Sequence, residues 1–433
     1  MHNKGRFPNV FFGARLRPDS AAFAIMVLLL FLIFVFLFLT LTSRPAQGQT
    51  FRVLYSFTGG TDGWMPYAGL TMDSAGNLYG TTLHGGGGGV VSYGTVFKLS
   101  KSASGWSATV LHAFNGNDGA FPAARVIFGP DGSLYGTTNA NVFSLKPARP
   151  CSVAMCNWTE TVLKSFPPCI DAGGDGCAPG NGDLIFDRVG NIYGTTQVGG
   201  TLCLSDYPYG CGVVYELTPS SGGWTESILH RFTGGSDGYW PMAGVTLDQA
   251  GNLFGTTTAG GGQFGGVVYQ LSPSGSGWSE GILHSFSGGD GTNLIGGVIL
   301  DPSENLYGAT TQFGPGDGGT VYKLSPSWGL TILYSFGQFT GGSSASLLMD
   351  AAGNLYGTTS GQYGGGGSVF KLTRSGLGYT YTSLHDFTKG SDGGNPQGVV
   401  IMDSSGNLYG TASQGGSHNC VPIGCGVVWE ITP

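Results

Sequence analysis

The sequence predicts an all-β fold: a seven-bladed β-propeller with four antiparallel strands per blade and an N-terminal strand that closes the last blade. Three observations predict it. A short motif, GNLYGTT or a near copy, occurs at 76–82, 132–138, 190–196, 251–257, 304–310, 353–359 and 406–412, at a spacing in the propeller range. Each copy sits among four strand-length apolar runs bounded by Gly, Ser, Pro or Asp. The chain ends are also complementary. "FRVLYSF" (51–57) matches the fourth run of a unit, and "GVVWEITP" (426–433) is a third run with no fourth after it.

Within a unit the runs are clearest in the fourth copy: AGVTLD (243–248), NLFGTT (252–257), GVVYQLS (266–272) and WSEGILHSF (278–286). No long window has helical periodicity. Strict alternation is weak, as expected for a sheet covered on both faces. A blade cannot bury two faces alone, so it needs neighbours, and closing the ring removes free ends. In DSAGNLYGTT the run from Asp73 to Asn77 is a turn, in which Asp bonds local backbone and Gly supplies positive φ. Asp187, Asp248, Asp301, Asp350 and Asp403 hold the same slot. Metal binding is the rival reading of these carboxylates. Tyr79 is expected in the core or between blades, and Gly80 is expected to admit a neighbouring backbone closely.

Composition agrees. With 81 Gly in 433 residues and only 10% charged, the chain is neither an ordinary helical domain nor, lacking a Gly-X-Y period, a collagen. Its 12% aromatic and 40% hydrophobic content is enough to build a core.

Residues 1–48 differ from the rest. Lys4, Arg6, Arg15 and Arg17 precede an apolar run across residues 21–42, followed by small residues at Ala46 and Gly48. This is the pattern of an export signal. The run is also long enough to span a bilayer, so an N-terminal membrane anchor is the rival. In that reading residues 21–42 are the only part that meets a membrane, and the basic flank leaves residues 51–433 facing outward. Without residues 1–48, which hold five basic residues and one acidic one, 13 basic and 24 acidic residues remain, a net charge of −11. That balance argues against nucleic acid as a partner.

The eight Cys fall in close pairs: Cys151 with Cys156, Cys169 with Cys177, Cys203 with Cys211, and Cys420 with Cys425. Four local disulfides in an oxidising compartment are expected. Cys211 and Cys425 open the matching segments CGVVYEL and CGVVWEI, so two pairs close the same loop of different repeats. A metal site is the alternative, but no CxxC occurs and His is scarce.

The motifs D..GNLYGTT, GVVFKL and LHSFTGG.DG..P.AGL resemble the tandem GloVer repeat of exported bacterial proteins, over about residues 51–433. More distantly, the strand–DxxGNLY–strand unit is similar to NHL-type repeats. The resemblance implies a secreted or surface repeat protein with no established activity. It also implies a C-terminal sorting or anchoring segment in many members. This sequence ends at Pro433 directly after a strand, so anchoring is expected at its N-terminus.

The long loops between second and third strands, and those between blades, share one face in a propeller. Loops carry function more often than strands. Trp64, Tyr67, Tyr93, Phe121, Tyr207, Tyr209, Tyr239, Trp240, Phe264 and Tyr363 fall there, with Trp64, Tyr67, Phe121, Tyr239 and Trp240 taken as the ligand-binding set. Such rings among Gly, Asp and Asn form a sugar-stacking surface or, in the rival reading, fold over the blade ends as small loop cores. The GGxDG residues Asp62, Asp237 and Asp392 are candidate calcium ligands or turn residues; Asp118, Asp175 and Asp290 are looser equivalents. No other cofactor is expected.

Catalysis requires residues that break the repeat. His84 and His418 lie in equivalent loops of blades 1 and 7, neighbours once the ring closes. Arg125 and Asp183 replace Gly just before adjacent inner strands, at the channel mouth. Either pair is a candidate catalytic pair or a plain surface feature, and no nucleophile–base–orienter set can be assembled. His112, His230, His284 and His385 recur in the slot LHxF, which marks a structural position. Trp106, Trp158, Trp224 and Trp278 recur at the start of fourth strands and are expected to pack at the opposite end of the blade. The expected function is therefore that of an exported, non-enzymatic, monomeric propeller that binds a glycan or protein through its loop face. A polysaccharide lyase or hydrolase and a purely structural surface protein are the alternatives.

Overall fold

The repeat folds as its spacing predicts. The structure, a computed structural model, describes residues 49–433 except the short segments 88–91, 104, 149–157, 170–175, 201–202, 204–208, 276, 339, 344, 362–363, 377 and 418. The N-terminal segment lies outside the described residues, and so do Cys151 and Cys156. Seven sheets of four antiparallel strands are formed, and none of the described residues is in an α-helix. Blades 1 to 6 run from an inner strand of two residues, such as Thr71–Met72 or Thr246–Leu247, to an outer strand such as Gly105–Ala113 or Gly277–Ser285. Blade 7 contains Ile401–Met402, Leu408–Ala412 and Val427–Thr432, and Thr50–Ser56 is its fourth strand. The register runs from Thr50↔Thr432 to Ser56↔Val427 with a bulge between Val53 and Tyr55. The first strand of the propeller thus pairs with the last.

Each letter of the motif has a separate task. The turn aspartate comes first. Asp73 Oδ1 accepts the N–H groups of Ala75 and Asn77, both at 2.9 Å, while Oδ2 accepts the Asn77 amide at 2.7 Å and the Tyr79 hydroxyl at 3.0 Å. Gly76 has φ +80° with open space around it, the conformation the turn requires. In blade 2 Gly129 stands in the aspartate's slot. Asp131, two residues later, takes over, accepting from Ser133 N–H at 3.0 Å and Tyr135 OH at 3.3 Å. Leu78 is fully buried.

Gly80 corrects one expectation. The group that needs its missing side chain is an aromatic ring of its own blade, not a neighbouring backbone. A Cβ there would stand 2.6 Å from Phe97 Cζ. Tyr215, Tyr269, Tyr322, Phe370 and Trp429 fill the same space at Gly194, Gly255, Gly308, Gly357 and Gly410. The first Thr joins blades: Thr195 donates to Ala243 O at 2.9 Å, and Thr411 to Ala68 O at 2.7 Å across the ring closure. The second Thr joins strands within a blade, as in Thr82–Thr95 at 2.8 Å. Trp158, Trp224 and Trp278, near the start of their fourth strands, pack on the motif Tyr of the preceding blade, Tyr79, Tyr135 and Tyr193.

The aspartate turns couple the fold to acid. Burial works against the charge of Asp73, Asp301, Asp350 and Asp403, but the hydrogen bonds outweigh it and hold each carboxyl below its ordinary value. A depressed native pKa contributes stability that is complete above the unfolded value, about 3.9, and is lost as pH falls through the folded value. The melting temperature is expected to be flat between pH 5 and 7 on this account and to drop below about pH 4. Asp350→Asn should flatten that acid limb in thermal melts followed by circular dichroism.

Candidate functional site

The loop face is zipped by its own backbone. Bridges Trp64↔His84, Tyr239↔Ala259, Thr292↔Gln312 and Gly394↔Gln414 tie the segment entering each blade to that blade's long loop. The next residue is left-handed in blade after blade: Met65 (φ 56°), Phe121 (53°), Ala178 (55°), Trp240 (60°), Asn293 (65°) and Asn395 (54°). Non-Gly residues seldom adopt this conformation. Here it is held because the residue's N–H donates to the preceding blade, as Phe121 does to Tyr93 O at 2.7 Å and Trp240 to Cys211 O at 3.0 Å. The ring of entry segments is thus set by blade-to-blade bonds.

Inside the ring lies the central channel, a cavity of about 680 Å³ lined by the inner strands and by Tyr67. Among the described residues, the only charged ones that line it are Arg125 and Asp183. They meet: Arg125 N–H donates to Asp183 Oδ1 at 2.9 Å and Nε to Oδ2 at 3.1 Å. Both carboxylate oxygens thus accept from Arg125. Glycine at this level elsewhere reflects crowding, since a Cβ on Gly244 would lie 2.0 Å from Asp183 O.

His84 is not a solvated base. Its ring stacks on Trp64 with centroids 4.6 Å apart and meets Phe121 edge-on at 5.2 Å. Burial lowers its pKa against a hydrogen bond to the Ser92 backbone. His418 and Tyr363 lie outside the described residues, as does Tyr207. Tyr239 and Trp240 pack edge-to-face at 5.0 Å, so two aromatic groups form on the loop face, one over blades 1 and 2 and one over blade 4.

The first group borders a concavity of about 530 Å³ over blade 2. It exists because the loop of blade 2 is short. Thr138 to Asn141 turn at once, with Thr138 N–H donating to Asn141 O at 2.8 Å, whereas blade 1 spends residues 83–94 on the same connection. The walls are the rings of Tyr93 and Phe121, 6.2 Å apart, and Asn115, Asn117, Asn139 and Asn141. Asn115, Asn117 and Asn139 are exposed, whereas Asn141 is buried; the Asn115 amide donates to Asp118 Oδ2 at 2.8 Å and the Asn141 amide to Asp118 O at 3.0 Å. The four asparagines are not among the predicted site residues. The truncated loop in "TTNANV" is the signal that could have found them.

The GGxDG aspartates bind their own loop. Asp62 accepts Thr58 N–H at 2.8 Å and Tyr55 OH at 2.9 Å, and Asp392 accepts Thr388 N–H at 2.9 Å. Their second partner is the LHxF histidine: His112–Asp118 at 3.1 Å, His284–Asp290 at 2.7 Å and His385–Asp392 at 3.2 Å. A spacing of six or seven residues is visible in each repeat, but each slot also has a local explanation of its own, which hides the pairing. Asp237 accepts Thr233 N–H at 2.7 Å.

Of the four expected disulfides, Cys169–Cys177, Cys203–Cys211 and Cys420–Cys425 form. The fourth, expected between Cys151 and Cys156, is not among them, because both residues fall in the segment 149–157 outside the described residues. The Cys420–Cys425 bridge packs over Gly59, where a Cβ would lie 2.3 Å from Cys420 Sγ, so it seals the ring closure.

Among solved structures, a gluconolactonase of Xanthomonas campestris is similar at 12% identity over 89% of this chain and 90% of that one, with a TM-score of 0.43. The extracellular domain of a protein described as a one-component system of B. thetaiotaomicron is similar at 10% identity over 89% of this chain and 42% of that one, with a TM-score of 0.51. At such identity the second likeness shows the fold alone. No curated protein matches the sequence. The family model for the Gloeobacter/Verrucomicrobia repeat matches residues 40–203 and 266–433, most of the chain, and this protein belongs to that repeat family.

Proposed function

We propose that this protein is an exported, non-enzymatic propeller that binds a glycan in the concavity over blade 2. The observation that carries the reading is the lining of that concavity, two aromatic rings beside the exposed Asn117 and Asn139. Flat rings stack on the C–H faces of a sugar, while amides both donate to and accept from its hydroxyls. Export is supported by the described disulfides, which persist outside the cytosol, and by the basic and apolar N-terminal segment. The net negative charge of residues 49–433 keeps nucleic acid out of consideration.

A glycan array probed with the full chain, with calcium and with EDTA, tests this. Binding is expected in both conditions and should fall at least tenfold, about 1.4 kcal/mol, in Tyr93→Ala and in Phe121→Ala. Loss in Trp240→Ala with retention in Phe121→Ala would move the site to blade 4. An array with no positive glycan would overturn the reading in favour of a protein ligand or a structural role.

A further inference from the structure

We propose that His230, Asp237 and Glu280 form a zinc-class divalent metal site that staples blade 3 to blade 4 at the outer rim. His230 is on the outer strand of blade 3 (Gly223–Arg231), and Glu280 on the outer strand of blade 4 (Gly277–Ser285). Asp237 is on the connection between the two blades. One nitrogen and two carboxylate oxygens from these residues lie within 4.8 Å of one another.

The distances separate a metal site from a hydrogen-bonded cluster. His230 Nε2 is 3.4 Å from Glu280 Oε1 and 3.6 Å from Asp237 Oδ2. Hydrogen bonds of this type are shorter, about 2.7–3.2 Å. A tetrahedral zinc with ligands about 2.0–2.1 Å away sets its donors about 3.3–3.4 Å apart. The same molecule supplies the comparison. In blades 1, 4 and 6 the equivalent His reaches its Asp at 3.1, 2.7 and 3.2 Å. In blade 3 it stands off from the Asp and faces a second carboxylate. Both His230 Nε2 and Glu280 Oε1 are buried without a hydrogen-bond partner, an arrangement that costs free energy unless something fills the gap.

The blade 6–7 and blade 2–3 boundaries lack one part each. Phe51 takes the place of Glu280 against His385, stacking at 3.6 Å, and Lys164 takes the place of the histidine against Glu226. At the blade 1–2 boundary Glu160 is present, but His112 stays on Asp118 at 3.1 Å. Chemistry selects the ion. One imidazole and two carboxylates balance a divalent charge and suit a first-row metal such as zinc better than calcium, which prefers six to eight oxygens.

The test is titration of chelator-treated full chain in mild detergent with zinc, and with calcium for comparison. One equivalent of zinc is expected to bind and to raise the melting temperature, with calcium at least tenfold weaker. Cobalt should replace zinc and give visible absorption of a four-coordinate ion. His230→Gln and Glu280→Gln should each lose at least tenfold in zinc affinity, while Glu160→Gln should match the wild type. If the wild type shows no zinc binding, the inference fails without reference to any variant. It fails equally if zinc binds but all three variants bind as the wild type does, since the ion then sits elsewhere. A melt with no response to metal would also overturn it, in favour of a cluster that packs without an ion.

Discussion

Deleting residues 50–57 is expected to lower the melting temperature by more than about 10 °C and to make the protein self-associate. Two physical effects add. The segment's own core is lost: Phe57 is fully buried and packs edge-on against Phe97 at 5.1 Å, and Leu54 is 9% exposed. Removing one buried Phe side chain alone costs about 3–5 kcal/mol. The strand Val427–Thr432 also loses its outer partner and presents an open edge, which templates pairing with another copy. The Phe57 N–H bond to Gly426 O at 3.1 Å is part of the same lost pairing. Calorimetry and light scattering of the shortened chain would read both effects. An unchanged melt with no association would mean that the N-terminal strand does not close the ring in solution. Phe57→Ala tests the packing share alone and should show the loss of stability without the association.

Gly410→Ala should be strongly damaging for a single methyl. A Cβ at this position would stand 2.3 Å from Trp429 Cζ2, and Trp429 is fully buried between the last two blades. The indole cannot retreat, since Phe51 and Phe387 pack on it at 6.4 and 6.1 Å. Overpacking of this kind costs about 1–3 kcal/mol, occasionally more. Gly76→Ala is the control. It meets nothing within 4 Å and pays only for a left-handed alanine, about 1–2 kcal/mol. The first variant should unfold at clearly lower denaturant than the second. Equal midpoints would show that backbone conformation, not the ring above it, fixes the motif glycine.

These results bear on how much of the molecule is legible beforehand. Blade number, strand order and closure are readable because they follow from repetition: a pattern that recurs seven times averages away local ambiguity. The aspartate turn is readable because its bonds are local, spanning two to six residues. The neighbour of Gly80 is not, because an aromatic on the third strand is near only after the strands pair. The same holds for the His–Asp pairs, in which two recurrent slots are each explicable alone.

The candidate sites show the same division more sharply. Arg125 and Asp183 stand out as breaks in the repeat, and the cyclic order of blades places them side by side. Their mutual neutralisation is a matter of side-chain geometry. The concavity over blade 2 arises from a loop that is missing, and an absence is visible in sequence only by comparison with the other blades. His230 and Glu280 are fifty residues apart and belong to different repeats. Nothing local connects them; adjacent outer strands do. The sequence by itself determined what each blade is and how many there are, because hydrogen bonding within a sheet obeys short-range periodicity. Only the tertiary structure decided what meets at the blade boundaries and on the loop face, because those contacts depend on how twisted sheets stack around the ring and on how far each loop reaches.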